Sequence, residues 1–164
     1  MSTRRGFVGA IVAKPWKWFL VSSALSLNHA RFDTNVAGVS HFIPNVPPVL
    51  WRIDVTARGA LRQLLGRPLI GRVGVGYTFL SGRRLSDTIT GPANDVLNAT
   101  AGLRLRFVEL GIDAYNVLGL RYADDASIYA SNWSFKPGQQ LASVAEHITA
   151  AHQFTLLGTV SLYF

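Results

Sequence analysis

Apolar and polar residues alternate strictly along several segments, and this period of two limits the possible folds more than any other feature. Between positions 50 and 62, apolar residues such as Ile53 and Val55 alternate with polar ones such as Asp54 and Thr56. Successive side chains of a β-strand point to opposite faces, so the pattern predicts a strand with one apolar and one charged face. Residues 152–164 repeat the pattern and stop on Phe164.

The composition is apolar without a helical membrane span. Of the 164 residues, 49% are hydrophobic and only 15% are charged, against about a quarter charged in typical globular proteins. No run approaches the roughly 18 apolar residues that a transmembrane helix needs. A transmembrane β-barrel is expected to show this combination, because each strand hides a polar lumen face behind a lipid face.

Seven strands are predicted from the alternation and the turn residues. They cover positions 5–13, 16–32, 50–62, 69–80, 96–107, 109–118 and 152–164. Short connections are expected near Lys14-Pro15, at Gly66 and near Val108, because proline and glycine favour turns. Long loops are expected at 33–48, 81–95 and 119–151; a short helix within the last is also possible, because Leu141, Val144 and Ile148 have helical spacing.

Short and long connections alternate, as the periplasmic and extracellular rims of an outer-membrane barrel do. The predicted fold class is therefore all-β: an antiparallel transmembrane β-barrel segment of about seven strands with short periplasmic turns and long extracellular loops. A closed single-chain bacterial barrel has an even number of strands. Either one strand is miscounted or the chain is part of a larger barrel.

Short motifs along the chain resemble one family. Tyr-Asn-Val-Leu at 115–118 and Arg-Tyr-Ala-Asp at 121–124 resemble the Asn-Leu-Phe and Lys/Arg-Tyr-Ala-Asp pattern near the end of TonB-dependent outer-membrane receptors. Ile-Pro-Asn-Val-Pro at 43–47, Ala-Arg-Phe-Asp at 30–33 and the terminal Phe164 resemble features of the same family. Val117-Leu118 in place of Leu-Phe departs mildly from that pattern.

The resemblance implies a single segment, residues 1–164, of the carboxy-terminal barrel of such a receptor. No plug domain and no TonB-engaging box is found in these residues, so contact with TonB is expected only through an amino-terminal part. The implied function is TonB-dependent uptake of a scarce nutrient, such as a ferric siderophore or a vitamin, across the bacterial outer membrane. The implied partners are outer-membrane lipid, a small-molecule substrate and the barrel-assembly machinery, the last through the closing strand with Val160, Leu162 and Phe164.

Charged residues at alternate positions are the candidates for a ligand site in the barrel lumen. These candidates are Arg52, Asp54, Arg58, Arg72, Arg104 and Arg106. They either contact an anionic ligand or, as we favour, form a solvated lattice of ion pairs with Glu109 and Asp113. Although the net charge is +7, the arginines are dispersed, which argues against a nucleic-acid-binding stripe.

Nothing in the sequence indicates an enzyme. No catalytic triad order, paired carboxylates or phosphate-binding glycine loop is recognisable, no cofactor is expected, and the chain has no cysteine. The four histidines, His29, His41, His147 and His152, are too scattered to predict a metal site.

Two other classes of protein stay open. One is a small standalone outer-membrane barrel acting as an anchor or adhesin, with a cleaved signal peptide within residues 1–30 and an eighth strand within 119–151. The other is a soluble lipocalin-like binding protein with an apolar interior.

Overall fold

A computed structural model describes residues 1–33, 41–86, 88–131 and 143–164. Within these ranges the chain is all-β, with antiparallel strands and no helix, which confirms the all-β, antiparallel part of the predicted fold class. The nine strands are β1 (Ser2–Trp16), β2 (Phe19–Phe32), β3 (Val49–Leu64), β4 (Arg67–Leu80), β5 (Asn94–Leu105), β6 (Val108–Tyr115), β7 (Ala123–Ser131), β8 (Ser143–Ala150) and β9 (Thr155–Leu162).

Seven of the strands form one sheet in the order β1-β2-β3-β4-β5-β6-β9, and β7 pairs only with β8. Every neighbouring pair is antiparallel. In the described part of the chain, β1 and β9 each pair on one side, so the sheet is open. Closure into a transmembrane barrel therefore stays a prediction.

Three two-residue turns join strands at one rim of the sheet, which we call the short-turn rim. They are Lys17-Trp18, Leu65-Gly66 and Arg106-Phe107. The first corrects the prediction of a turn at Lys14-Pro15: β1 continues to Trp16 across a register shift. Pro15 is tolerated there because it lies within this shift and has no paired position in the ladder, and strands accommodate proline at bulges.

The long connections meet at the opposite rim, which we call the long-loop rim. The third of them is not the continuous loop predicted at 119–151, because it contains the β7–β8 hairpin. The possible helix was wrong: Val144 and Ile148 lie in β8, and Leu141 lies outside the described residues. The β-branched residues of 143–150 fit a pleated strand better than a helix.

Strand ends differ from the predictions where the backbone turns. β6 ends at Tyr115 rather than at 118, because Asn116 has a positive φ of 50°. β5 ends at Leu105 rather than at 107, because Arg106 has a φ of 55°. A left-handed backbone does not continue a strand.

The sheet register separates the residues into two faces. One residue from each of the seven strands forms a continuous row across the sheet, and all seven are apolar. In strand order the row is Ala13, Val21, Val55, Val75, Ala99, Ala114 and Leu156. The polar positions of the central strands lie on the other face. We call the two surfaces the apolar face and the polar face.

Little of the molecule is a conventional core. Among the described residues, the buried apolar side chains are Leu85, Ala123 and Ala126, all at the long-loop rim. Val75, in the middle of the apolar row, is 49% exposed, and Val160 on β9 is 70% exposed. No second layer covers the sheet within the described ranges, so most of its apolar side chains remain open to the surroundings.

Candidate functional site: the polar face of the sheet

The polar face carries five of the six predicted lumen residues. Arg52, Asp54 and Arg58 project from β3, Arg72 from β4 and Arg104 from β5. Cross-strand partners share a face, and the register sets Asp54 opposite Gly76 and Arg58 opposite Arg72. Arg106, the sixth, lies instead in the β5–β6 turn.

Arg52 and Asp54 form a two-bonded ion pair along β3. The Arg52 Nε donates to Asp54 Oδ2 at 2.8 Å, and its Nη2 donates to Oδ1 at 3.0 Å. A Cβ at Gly76 would lie 2.6 Å from Asp54 Oδ1. Glycine at position 76 is therefore required for the carboxylate to lie flat against β4.

A second cluster lies nearer the short-turn rim, around Glu109 of β6. Arg72 Nη2 lies 3.4 Å from Glu109 Oε1, and the Tyr163 hydroxyl donates to Glu109 Oε2 at 3.0 Å. The Arg104 guanidinium lies 4.1 Å from the centroid of the Tyr163 ring, within the range of a cation–π contact. Three strands and Tyr163, the residue that follows β9, thus contribute to one network.

The cluster is unbalanced in charge. Arg58 and Arg72 are direct cross-strand neighbours, which is unfavourable for like charges, and Arg58 forms no ion pair within the described part of the chain. Three arginines therefore face the single carboxylate of Glu109, around a cavity of about 150 Å³. The arrangement favours binding of an anionic group.

Small residues keep the face between the two clusters open. Gly74 of β4 lies between Thr56 and Thr100, and a cavity of about 170 Å³ there reaches Asp113 and Tyr115. Asp113 lies opposite Thr100 in the register. It forms no ion pair within the described residues, so the predicted lattice is only partly assembled.

The sequence analysis missed the role of Asn116, which is 1% exposed. Its Nδ2 donates to the carbonyls of Leu120 at 2.8 Å and His152 at 3.1 Å, and its Oδ1 accepts from the Leu120 amide at 3.1 Å. Its own amide donates to Asn98 Oδ1 at 3.0 Å. Asn116 therefore joins the end of β6, the turn that follows and the approach to β9. The sequence feature that could have predicted this role is an asparagine directly after a strand, because its side chain can form hydrogen bonds with nearby backbone groups.

The β4–β5 loop and β7 are bound together at the long-loop rim. Asn94 Nδ2 donates to the Ala123 carbonyl at 2.9 Å, and Arg83 Nη2 donates to the Asp124 carbonyl at 2.8 Å. Arg83 also lies 3.8 Å from Asp125. Nearby, burial raises the pKa of the Tyr122 phenol, and the charge of Asp124 adds to the effect. Tyr122 and His152 line a cavity of about 380 Å³.

The predicted assembly residues lie on or beyond β9. Val160 pairs with Leu110 and Leu162 pairs with Val108 on the apolar face, and Phe164 follows the strand fully exposed. Nothing in this geometry tests their assembly role.

Neither a metal site nor a helical membrane span is present among the described residues. Within the described ranges, no three His, Cys, Asp or Glu side chains group so as to hold a metal ion. No helix of that part of the chain has the length and apolarity to cross a membrane.

Comparison with known proteins gives no relative. No protein-family model matches the chain, and no curated protein or solved structure matches it significantly.

Proposed function

We propose that the chain forms part of the wall of a bacterial outer-membrane β-barrel, in the carboxy-terminal region of a TonB-dependent uptake receptor. The observation that carries the barrel proposal is the unbroken apolar row across seven strands, with a charged face behind it. In a soluble sheet an apolar face is covered by a second layer. Here Val75 and Val160 of the apolar face are exposed, and contact with lipid would bury them.

The depth of the apolar face supports the same proposal. On β5 it runs from Leu97 to Leu105, a span of nine residues. A tilted transmembrane β-strand needs about 9–11 residues to cross the hydrocarbon. Aromatic side chains lie at one end, where Trp16 and Trp18 stack with ring centroids 5.5 Å apart, as expected at a membrane interface.

The strand count supports part of a wall rather than a complete barrel. With seven antiparallel strands in sequence, the edge strands β1 and β9 run in the same direction. Antiparallel closure therefore requires an odd number of further strands. The eight-stranded standalone barrel would need an eighth strand in the wall, but β7 and β8 form a separate sheet.

The lipocalin-like alternative fits less well. It requires apolar side chains turned into an enclosed cavity and polar ones turned to water. The described sheet is open, with Arg52 and Arg72 on one face and exposed valines on the other. The uptake role itself rests on the motifs at 30–33, 43–47 and 115–124. In that role the polar face is the lumen wall, and its excess of arginine suits an anionic nutrient.

Spin labelling along β3 tests the membrane assignment. The chain has no cysteine, so single cysteines at positions 53, 55 and 57 and at 54, 56 and 58 can be labelled without background. After reconstitution in lipid, we expect oxygen accessibility typical of lipid at the odd positions and nickel-chelate accessibility typical of water at the even ones. Odd positions shielded from both reagents would overturn the proposal in favour of a soluble β domain.

The receptor assignment needs a separate test. The coding region upstream of Met1 is expected to encode a plug and further strands in the same frame. An unrelated frame, together with uptake that is unchanged when this chain is deleted, would instead favour the anchor or adhesin.

A further inference from the structure

Five basic side chains lie at or near the short-turn rim and lack ionic partners. All five are exposed, and none forms an ion pair within the described residues. The five are Lys14, Lys17, Arg62, Arg67 and Arg106. The three turns contain no Asp or Glu, and the nearest acidic side chain, Glu109, is held on the polar face by Arg72 and Tyr163.

The long-loop rim differs, because it mixes both signs of charge. Asp33, Asp95, Asp124 and Asp125 lie there among several arginines. Some of these carboxylates are engaged: Asp33 accepts from Thr3 and Asp125 faces Arg83. Acidic residues thus offset part of the positive charge at the long-loop rim, although Arg5, Arg31 and Arg121 there also form no ion pair among the described residues. The turns of the short-turn rim contain no acidic residue that could offset their charge.

A β-bulge brings one of the five cations onto the apolar face. The register of β3 with β4 shifts between Ala60 and Arg62, so that Arg62 lies opposite Leu69. Leu69 belongs to the apolar face, because it also pairs with Leu105. The strict alternation of the sequence would place Arg62 with Arg58 on the polar face. The bulge reverses this and places Arg62 opposite an apolar-face residue, near the short-turn rim.

Two apolar grooves lie beside these cations. The first has a volume of about 510 Å³ and runs over Gly59 between Trp18 and Leu103. Gly59 lines this groove and has no side chain to fill it. The second groove, of about 570 Å³, is lined by leucines including Leu65 and Leu105, and also by Arg67 and Arg106.

We propose that this end of the apolar face binds an anionic phospholipid. Its acyl chains lie in the two grooves, and its phosphate is bound by Arg62, Arg67 and Arg106. Basic residues at a membrane surface attract anionic headgroups, and arginine forms paired hydrogen bonds with phosphate oxygens. The inference rests on the proposed function, because it requires the apolar face to lie in lipid.

Trp18 provides a reporter inside the first groove. A variant with Trp16→Phe, Trp51→Phe and Trp133→Phe retains Trp18 alone, and a second variant retains Trp51 alone, at the other end of the same face. Each is reconstituted in phosphatidylcholine vesicles containing increasing fractions of brominated phosphatidylglycerol or brominated phosphatidylcholine. Bromine quenches tryptophan fluorescence on contact, so the quenching curve gives the relative affinity of the two lipids at each position.

At Trp18 we expect about a fivefold preference for phosphatidylglycerol, and at Trp51 no more than about twofold. In the Trp18-only variant, the triple substitution R62Q/R67Q/R106Q should abolish the preference. The matched substitution R5Q/R31Q/R121Q, at exposed arginines of the long-loop rim, should leave it unchanged.

The outcomes separate the two proposals. Equal quenching by both lipids at Trp18, or an equal preference at Trp18 and Trp51, would overturn the phospholipid site while leaving the barrel assignment intact. A preference that survives R62Q/R67Q/R106Q would also overturn it. Absence of quenching by either lipid at both tryptophans would overturn the membrane assignment itself.

Discussion

At the scale of single residues, the polar side chains with the most defined roles are those that fix the backbone. Asn116 combines a positive φ of 50° with three side-chain hydrogen bonds to the backbone. An orphaned buried polar group costs about 1–3 kcal/mol. The carbonyl of His152 and both backbone groups of Leu120 rely on this one side chain.

Two substitutions of Asn116 separate the contribution of its side-chain hydrogen bonds from that of its left-handed backbone. We expect Asn116→Ala to lower the free energy of unfolding by about 2–4 kcal/mol, through lost hydrogen bonds and a left-handed backbone that alanine disfavours. Asn116→Gly should cost about 1 kcal/mol less, because glycine adopts positive φ freely. Urea unfolding in lipid vesicles measures both. If the glycine variant were as stable as the parent, the hydrogen bonds would contribute nothing.

At one turn residue, Leu65, a substitution is expected to stabilise the protein rather than destabilise it. Leu65 has a φ of 52° and is followed by Gly66 at 69°, which are the dihedrals of a two-residue hairpin turn that favours Asn-Gly. We expect Leu65→Asn to raise the free energy of unfolding by about 1 kcal/mol, since asparagine tolerates this backbone better than leucine. The same unfolding measurement checks it.

The β1–β2 turn offers the control for this change. Lys17 does not have a positive φ, so Lys17→Asn should be neutral within about 0.5 kcal/mol. A loss of stability in Leu65→Asn would show that the exposed leucine contributes packing, for example against lipid, that outweighs its strained backbone.

At the scale of single strands, β3 carries two environments on adjacent residues. Val55 lies in the apolar row between Val21 and Val75. Thr56 lies on the polar face opposite Gly74. If the apolar face meets lipid, the two positions differ in the free energy of holding a charge.

A lysine scan over this pair tests the difference. We expect Val55→Lys to lower the free energy of unfolding in lipid by about 2–4 kcal/mol, the cost of a cation near the bilayer midplane. Thr56→Lys should cost less than about 1 kcal/mol, because its side chain reaches an aqueous lumen. Equal costs at the two positions would contradict a lipid-facing surface on only one side of β3.

At the scale of the whole molecule, the exposed apolar surface dominates the behaviour in solution. The described part of the chain buries only three apolar side chains, and both edge strands present unpaired backbone groups within it. Large apolar patches and free strand edges both promote association. We therefore expect the molecule to associate in water unless its apolar face and its edges are covered.

Light scattering after size-exclusion chromatography checks this dependence. In buffer without detergent we expect aggregates and no monomer peak, whereas a mild detergent should yield protein–detergent complexes of defined mass. A soluble lipocalin-like domain of similar size, treated identically, serves as the control. A monodisperse monomer in plain buffer would contradict the membrane assignment.

The sequence by itself determined the approximate positions of the seven strands of the large sheet and their two faces. The alternation at 50–62 and 69–80 depends only on the two-residue period of a strand, so β3 and β4 could be located and Arg52, Asp54, Arg58 and Arg72 assigned to one face. The absence of any long apolar run excluded a transmembrane helix, and this too can be read from neighbouring residues alone.

Only the tertiary structure decided the features that depend on register and backbone dihedrals. The bulge that moves Arg62, the positive φ that removes Arg106 from β5, and the bonds of Asn116 to Leu120 and His152 have no unique local signal. The β7–β8 hairpin was missed because the β7 residues were predicted as loop and because Val144 and Ile148 of β8 also fit a helical period. Which partners a strand takes, and at what offset, is set by contacts between residues far apart in the chain, and one residue of shift exchanges the two faces.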